Sequence, residues 1–192
     1  MTRKTIKSRE EWLKLALNEI SERMFEKAGA SVPTDCKVSV GFPGGGSARK
    51  RIGECWPRSR STLGVNEIFI NPKLRDQFAM LEVLVHEAIH AADDCASGHK
   101  GFFRKTAKAV GLEGKMTATH AGPELASWIK DVLLQRLPAL EYGSLLLDDV
   151  KRQSTRMLKI ECPSCGYVAR TTAKWLEVGV PTCCCGTEMG VA

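Results

Sequence analysis

Three of the four histidines in this 192-residue chain lie between positions 86 and 99, and the first two bracket a glutamate in 86-HEAIH-90. Histidines four residues apart project from one face of a helix. Both imidazoles can then reach a single metal ion, at Zn–N distances of about 2.0–2.1 Å. Glu87 is rotated by about 100° from His86, close to such an ion without being forced to ligate it. From there its carboxylate can accept a proton from an attacking water and deliver it to a leaving amine, while zinc acidifies the water and polarises the carbonyl. This division of labour is the chemistry of H-E-x-x-H.

A catalytic zinc takes three protein ligands and keeps one position open. The metzincin extension would need a glycine at position 93 and a histidine at position 96; Asp93 and Ala96 exclude it. A glutamate from a downstream helix would be Glu113 or Glu124. His99 is the better ligand, because the short polar loop 93-DDCASG-98 can turn the chain back and set His99 at the start of the next helix, facing the first. His120 stands alone between Thr119 and Ala121 and is expected on the surface or in a cleft. Cys95, in the connecting loop, could compete for metal, but it is expected to be an ordinary thiol like Cys36 and Cys55.

A second group lies near the C-terminus, where five of the eight cysteines fall between Cys162 and Cys185. Cys162-x-x-Cys165-Gly166 reads as a zinc knuckle, and seventeen residues separate Cys165 from Cys183, a spacing that suits two knuckles joined by a hairpin. Position 182 is Thr, so the second knuckle must draw on Cys183, Cys184 and Cys185. Cys183 and Cys185 are favoured, because Cys185-Gly186 repeats the Cys165-Gly166 ending; Cys184 remains the alternative to either. So short a ribbon buries little apolar surface, and metal should supply much of its stability. Arg170, Lys174 and Trp175 on the expected hairpin could meet phosphates and stack on a base; the other reading is a structural cap held by Trp175.

The elements that must position these groups can be read from periodicity. Ser8 and Glu11 form a capping box ahead of Leu13, Leu17, Ile20 and Met24, with Gly29 at the C-cap, so a helix spans about 9–28. Strands are expected at 36–42, 52–56 and 67–70, around the flexible 43-PGGGSAR-49. Helices follow at about 74–93, after His99 (with Phe102, Phe103, Ala107 and Val110) and at 122–137. The order gives an α+β unit with a small sheet over residues 1–140. A connector, 141–157, follows, whose Leu145–Leu147 could fold back on that unit. The zinc ribbon takes 158–192.

Composition sets the remaining bounds. At 43% hydrophobic residues the chain should bury a core. Its net charge of +6 is thickest at Arg3, Lys4, Lys7 and Arg9 and in 49-RKRIGECWPRSR-60, a balance compatible with nucleic acid and equally with simple solubility. No stretch approaches the roughly 20 apolar residues of a membrane span, and no apolar run follows the charged N-terminus as in a signal peptide. A reducing cytoplasm is therefore expected, with cysteines serving as metal ligands or free thiols. The protein is expected to be a monomer.

The run HEAIHA, then GHKGFF with a phenylalanine four residues after the histidine, then Gly111-Leu112, resembles the SprT/Spartan family of zinc metalloproteases. The upstream 51-RIGECW-56 and 67-EIFINPKL-74 are similar to the strands that lead into that family's active-site helix, so the likeness covers about 30–140. It implies a zincin-like fold with His86, His90 and His99 as zinc ligands and Glu87 as general acid/base. It also implies proteins bound or crosslinked to DNA as substrates, and a C-terminal ribbon is often present; stacking of bases on Trp175 would make single-stranded DNA the preferred nucleic-acid partner. An extended substrate is expected to pair with the strand at Glu67–Ile70. The rival readings are a nucleic-acid-binding zinc protein with vestigial proteolysis or none, and a zinc hydrolase acting on a non-peptide bond. The intact Glu87 argues against the first, since a structural site gains nothing from an acid there.

Overall fold

The computed structural model describes residues 5–44, 51–143, 145 and 157–192. The chain divides into two units, Met1–Leu146 and Leu147–Ala192, and the division falls inside the expected connector. Leu145 is exposed there; Leu146 and Leu147 lie outside the described residues, as do Arg3, Lys4, Arg49 and Lys50 of the basic clusters.

In the first unit, β1 (Thr5–Ile6) leads into α1 (Arg9–Ala28). Ser8 Oγ accepts from the Glu11 N–H at 3.2 Å, and Gly29 closes the helix at φ 64°, a left-handed geometry that costs glycine least. The buried face of α1 carries Trp12, Leu13, Leu17, Ile20 and Met24. Next come β2 (Lys37–Val40), β3 (Gly53–Trp56), a 3₁₀ turn (Arg58–Arg60) and β4 (Glu67–Ile70), then α2 (Gln77–Ala92) and α3 (Gly101–Val110). Asp76 caps α2, its carboxylate accepting from the Ala79 N–H at 2.8 Å. A hairpin of β5 (Leu112–Lys115) and β6 (Ala118–Ala121) follows. The last helical stretch runs from α4 (Pro123–Trp128) through a π-helical turn (Ile129–Leu133) into α5 (Leu134–Arg136). β7 (Ala139–Leu140) then pairs in parallel with β1, and the Trp12 indole N–H donates to Pro138 O at 3.1 Å. Mixed α+β with small sheets is the class that the element order predicted.

The three-stranded sheet has the order β2-β4-β3, with β4 parallel to β2 and antiparallel to β3. This corrects the expectation that a substrate pairs with Glu67–Ile70. β4 is the middle strand, its backbone groups are used on both sides, and β2 and β3 are the edges, β3 being the one that lines the cleft. β4 buries Ile68 and Ile70 completely against the core that α1 and α2 also fill with Leu13, Leu84 and Ile89. That core holds the α2 helix, and with it the histidines, across the sheet.

The second unit contains β8 (Leu158–Glu161), β9 (Val168–Thr171), α6 (Ala173–Val178) and β10 (Gly190–Val191). Its sheet order is β10-β8-β9, antiparallel throughout. Its buried cluster consists of Ile160, Cys162, Cys183 and Met189. Two fully buried aliphatic chains contribute about 1.5–3 kcal/mol each, whereas each ordered residue costs about 1–2 kcal/mol of backbone entropy. Apolar burial alone does not hold this unit together. No helix among the described residues is long and apolar enough to cross a membrane.

Candidate metal centres

His86 and His90 stand one turn apart on α2, and the loop after α2 brings His99 back to them. The loop turns sharply because Asp94 and Cys95 both take left-handed backbone conformations, at φ 53° and 61°. Such conformations cost non-glycine residues free energy and persist only where the surroundings impose them. Asp94 Oδ1 accepts from the Arg58 N–H and from Asn66 Nδ2, each at 2.8 Å, and the Cys95 N–H donates to His90 O at 2.7 Å. The loop is thus tied to the sheet and to the end of α2. His99 lies just ahead of α3 rather than in its first turn, since Lys100 is the N-cap.

The three rings converge. His99 Nε2 lies 3.3 Å from both His86 Nε2 and His90 Nε2. Phe103, fully buried, forms the wall behind them, stacked on His90 with centroids 4.4 Å apart and edge-on to His86 and His99. This accounts for a phenylalanine four residues after His99. Burial and the neighbouring imidazoles push His86 down to about 3; burial and His99 push His90 down to about 4. His99 is also lowered, by burial. Each of these shifts favours the uncharged ring. His86 Nδ1 and Thr119 Oγ1 are hydrogen-bonded at 2.8 Å, which fixes the ring's orientation; the tautomer with its proton on Nδ1 leaves the Nε2 lone pair facing the other rings. Three ring nitrogens converging on one point can each offer a lone pair to a single cation. The three histidines therefore fit a metal ion, each offering one ligand atom within 4.8 Å of the others.

Glu87 opens onto the same cleft, a cavity of about 630 Å³ also lined by β3 and by Thr117–Thr119 of the hairpin. The residue is only 6% exposed and accepts no hydrogen bond from a described residue. Burial, reinforced by Cys95 and Glu54, pushes its carboxyl up to about 8. β3 passes directly over it. A Cβ on Gly53 would lie 2.4 Å from Val83 Cγ1 and 2.7 Å from Glu87 Oε1, so only glycine lets the strand lie this close to α2. Gly53→Ala should therefore cost about 1–3 kcal/mol through overpacking. Gly143→Ala, where nothing lies within 4 Å, should stay within about 0.5 kcal/mol. Urea unfolding of the two variants measures the difference; equal stability would mean that β3 does not press on Glu87.

The other sequence candidates fall elsewhere. Glu124 pairs with Lys27 at 2.7 Å and Arg23 at 3.3 Å, and Glu113 turns its carboxylate against Gly122; neither joins the histidine group. His120 is exposed, across the hairpin from Glu113. Cys95 Sγ lies 3.6 Å from Cys55 Sγ in the cleft wall, and the contact raises the Cys55 thiol and lowers the Cys95 thiol. Sequence reading missed this pair, Thr119 and the β5–β6 hairpin. The hairpin strands carry Gly114, Lys115 and alanines, which are depleted in strands, and the turn between them, Met116-Thr117, holds neither glycine nor proline.

In the second unit the sulfurs of Cys162, Cys165, Cys183 and Cys185 converge, with Cys162–Cys185 at 3.5 Å and Cys165–Cys183 at 3.4 Å. Each knuckle closes on a left-handed glycine whose N–H reaches back to a cysteine carbonyl: Gly166 to Cys162 O at 2.9 Å and Gly186 to Cys183 O at 2.8 Å. The second knuckle is one residue shorter, hence Cys-x-Cys-Gly. Cys184 is exposed and outside the group, its Sγ 3.8 Å from that of Cys183. The Thr187 hydroxyl and backbone hold the Cys185 thiol down to about 6. At Cys165 the Tyr167 backbone pulls down, but the neighbouring thiols push the group up to about 12. Four thiols this close cannot all ionise without a cation among them, so this group also fits a metal.

The basic residues expected on the ribbon hairpin are placed differently. Arg170 is on β9, while Lys174 and Trp175 are on α6, because the seventeen residues between the knuckles are long enough for a helix after the strand. Lys174 Nζ sits 5.3 Å above the Trp175 ring, which is 59% exposed. Compared with known protein families, with curated proteins and with solved structures, the chain has no match.

Proposed function

We propose that the protein is a zinc-dependent peptidase of the SprT/Spartan kind, with a zincin-like first unit and a zinc ribbon as the second. The observation that carries the reading is the convergence of three imidazoles beside a buried glutamate in one open cleft. His86, His90 and His99 would hold the catalytic ion, with Thr119 fixing the His86 ring; Cys162, Cys165, Cys183 and Cys185 would hold the structural one. Zinc held there would supply positive charge to acidify water, polarise a carbonyl and favour the ionised form of Glu87. The Glu87 carboxylate accepts a proton from the water attacking the peptide carbonyl and passes it to the leaving amine nitrogen. β3, the edge strand beside the cleft, can receive an extended peptide as a further strand, with Gly53 keeping that strand close to Glu87. Proteins carried on DNA are the proposed substrates, a class supported by the sequence resemblance and by the basic character of the chain.

The purified chain should cleave an unstructured protein such as casein, and a DNA-binding protein in the presence of single-stranded DNA. Mass spectrometry should show new amino and carboxyl termini that sum to the substrate plus one water. A zinc chelator should stop the cleavage and added zinc restore it. Intact substrates, or hydrolysis only of a non-peptide bond, would overturn the reading.

A further inference from the structure

We propose that the outer face of α3 is a binding surface for the phosphodiester backbone of nucleic acid, formed by Lys100, Arg104 and Lys108. Arg104 and Lys108 stand one turn apart on one side of the helix, about 6 Å along its axis, and Lys100, its N-cap, lines the same groove. All three are exposed, and they line a groove between α3 and the β5–β6 hairpin that begins at His99 and passes Gly114 and Met116. Lys105 and Lys115 add exposed positive charge beside it. None of the five forms an ion pair with a described residue.

A solvated helix face ordinarily mixes signs. The outer face of α1 does so, setting Glu19, Glu22 and Glu26 among Lys14 and Lys27. Residues 100–110 carry four cations and no acid, and the macrodipole gives no reason for cations near the start of a helix. Glu113, the nearest acid on β5, has its carboxylate turned to Gly122. Like charges held at a regular interval repel one another and call for a ligand that is itself a regular row of anions. A phosphodiester chain is such a row, and Arg104 at the centre can grip one phosphate with two parallel hydrogen bonds. The side chains of an acidic peptide offer no fixed interval. The surface belongs to the first unit, whereas Arg170, Lys174 and Trp175 belong to the second. That a strand held along α3 would deliver its bound protein to the cleft rests on the peptidase reading; the binding itself does not.

The test uses the full chain and fluorescence anisotropy with a labelled oligonucleotide of about 20 nucleotides, single-stranded in one arm and duplex in the other. The triple variant Lys100→Ala/Arg104→Ala/Lys108→Ala should bind at least about tenfold more weakly. Its plot of log affinity against log salt should be shallower by about 2–3, as expected for three lost phosphate contacts. Lys100→Arg/Lys108→Arg should bind like the wild type. Circular dichroism and metal content establish that each variant is folded. Wild-type affinity in the triple variant, no oligonucleotide binding by the full chain, or displacement of the oligonucleotide by polyglutamate of equal charge would each overturn the proposal. Peptide hydrolysis without nucleic acid is read separately on the wild-type chain, so failure of the peptidase reading leaves the binding result standing.

Discussion

Glu87→Gln should leave both metal sites filled and lower peptide hydrolysis by about 10²-fold or more. The amide keeps the size of a group that is pressed beneath Gly53, so neither α2 nor the three imidazoles need move. What it loses is the ability to take a proton. Metal content by atomic absorption and hydrolysis rates on the same preparation check both halves, and an undiminished rate would overturn the assigned role. A second readout comes from stability once metal is stripped. Burial pushes the Glu87 carboxyl from its ordinary 4.5 up to about 8. Between these values the folded chain binds a proton that the unfolded chain does not, so this contribution to stability is full below about 4.5 and is lost as pH rises through about 8. The glutamine variant has no such loss. Metal-free Glu87→Gln should therefore gain stability relative to metal-free wild type as pH rises through that window. His99→Ala should behave differently, emptying the nitrogen site while the sulfur site stays filled.

The parts of this arrangement that were legible beforehand are those set by local chemistry. Ser8 and Gly29 bound α1 because caps act within one turn. The spacing of His86 and His90 needs only helical periodicity, and Cys183-x-Cys185-Gly186 could be picked from three adjacent cysteines because glycine must close the knuckle. The contacts that escaped join segments distant in sequence. Thr119 meets His86 across 33 residues and Cys55 meets Cys95 across 40; no periodicity encodes either. Strand order escaped for the same reason. The alternation at Glu67–Ile70 marks a strand, but whether that strand is central or at the edge depends on where β2 and β3 dock. The basic row on α3 was present in the sequence, yet it became a surface only when the helix phase showed Phe103, Ala107 and Val110 buried and left the cations outside.

Cys162→Ser should unfold the second unit and leave the first intact. The wild-type chain should carry two zinc ions, one bound by nitrogen and one by sulfur, and the variant only the nitrogen-bound ion. The expected effect is large because the unit's own core is so small. Ile160 and Met189 are its buried aliphatic anchors, and the other two members of the cluster are the proposed ligands Cys162 and Cys183. A structural zinc site contributes about 10–16 kcal/mol of binding free energy, which in such a unit is folding free energy. Loss of one thiolate removes most of it, and a serine hydroxyl is a poor replacement for a soft ligand. Cys183→Ser and Cys185→Ser should act in the same way. Cys184→Ser should be tolerated, because that side chain is exposed and lies outside the four-sulfur group. In amide NMR spectra the resonances of 157–192 should collapse to unfolded positions in the first three variants and stay dispersed in the fourth, while those of the first unit stay put throughout. A second unit that keeps its dispersion without Cys162, or loses it without Cys184, would overturn the ligand set.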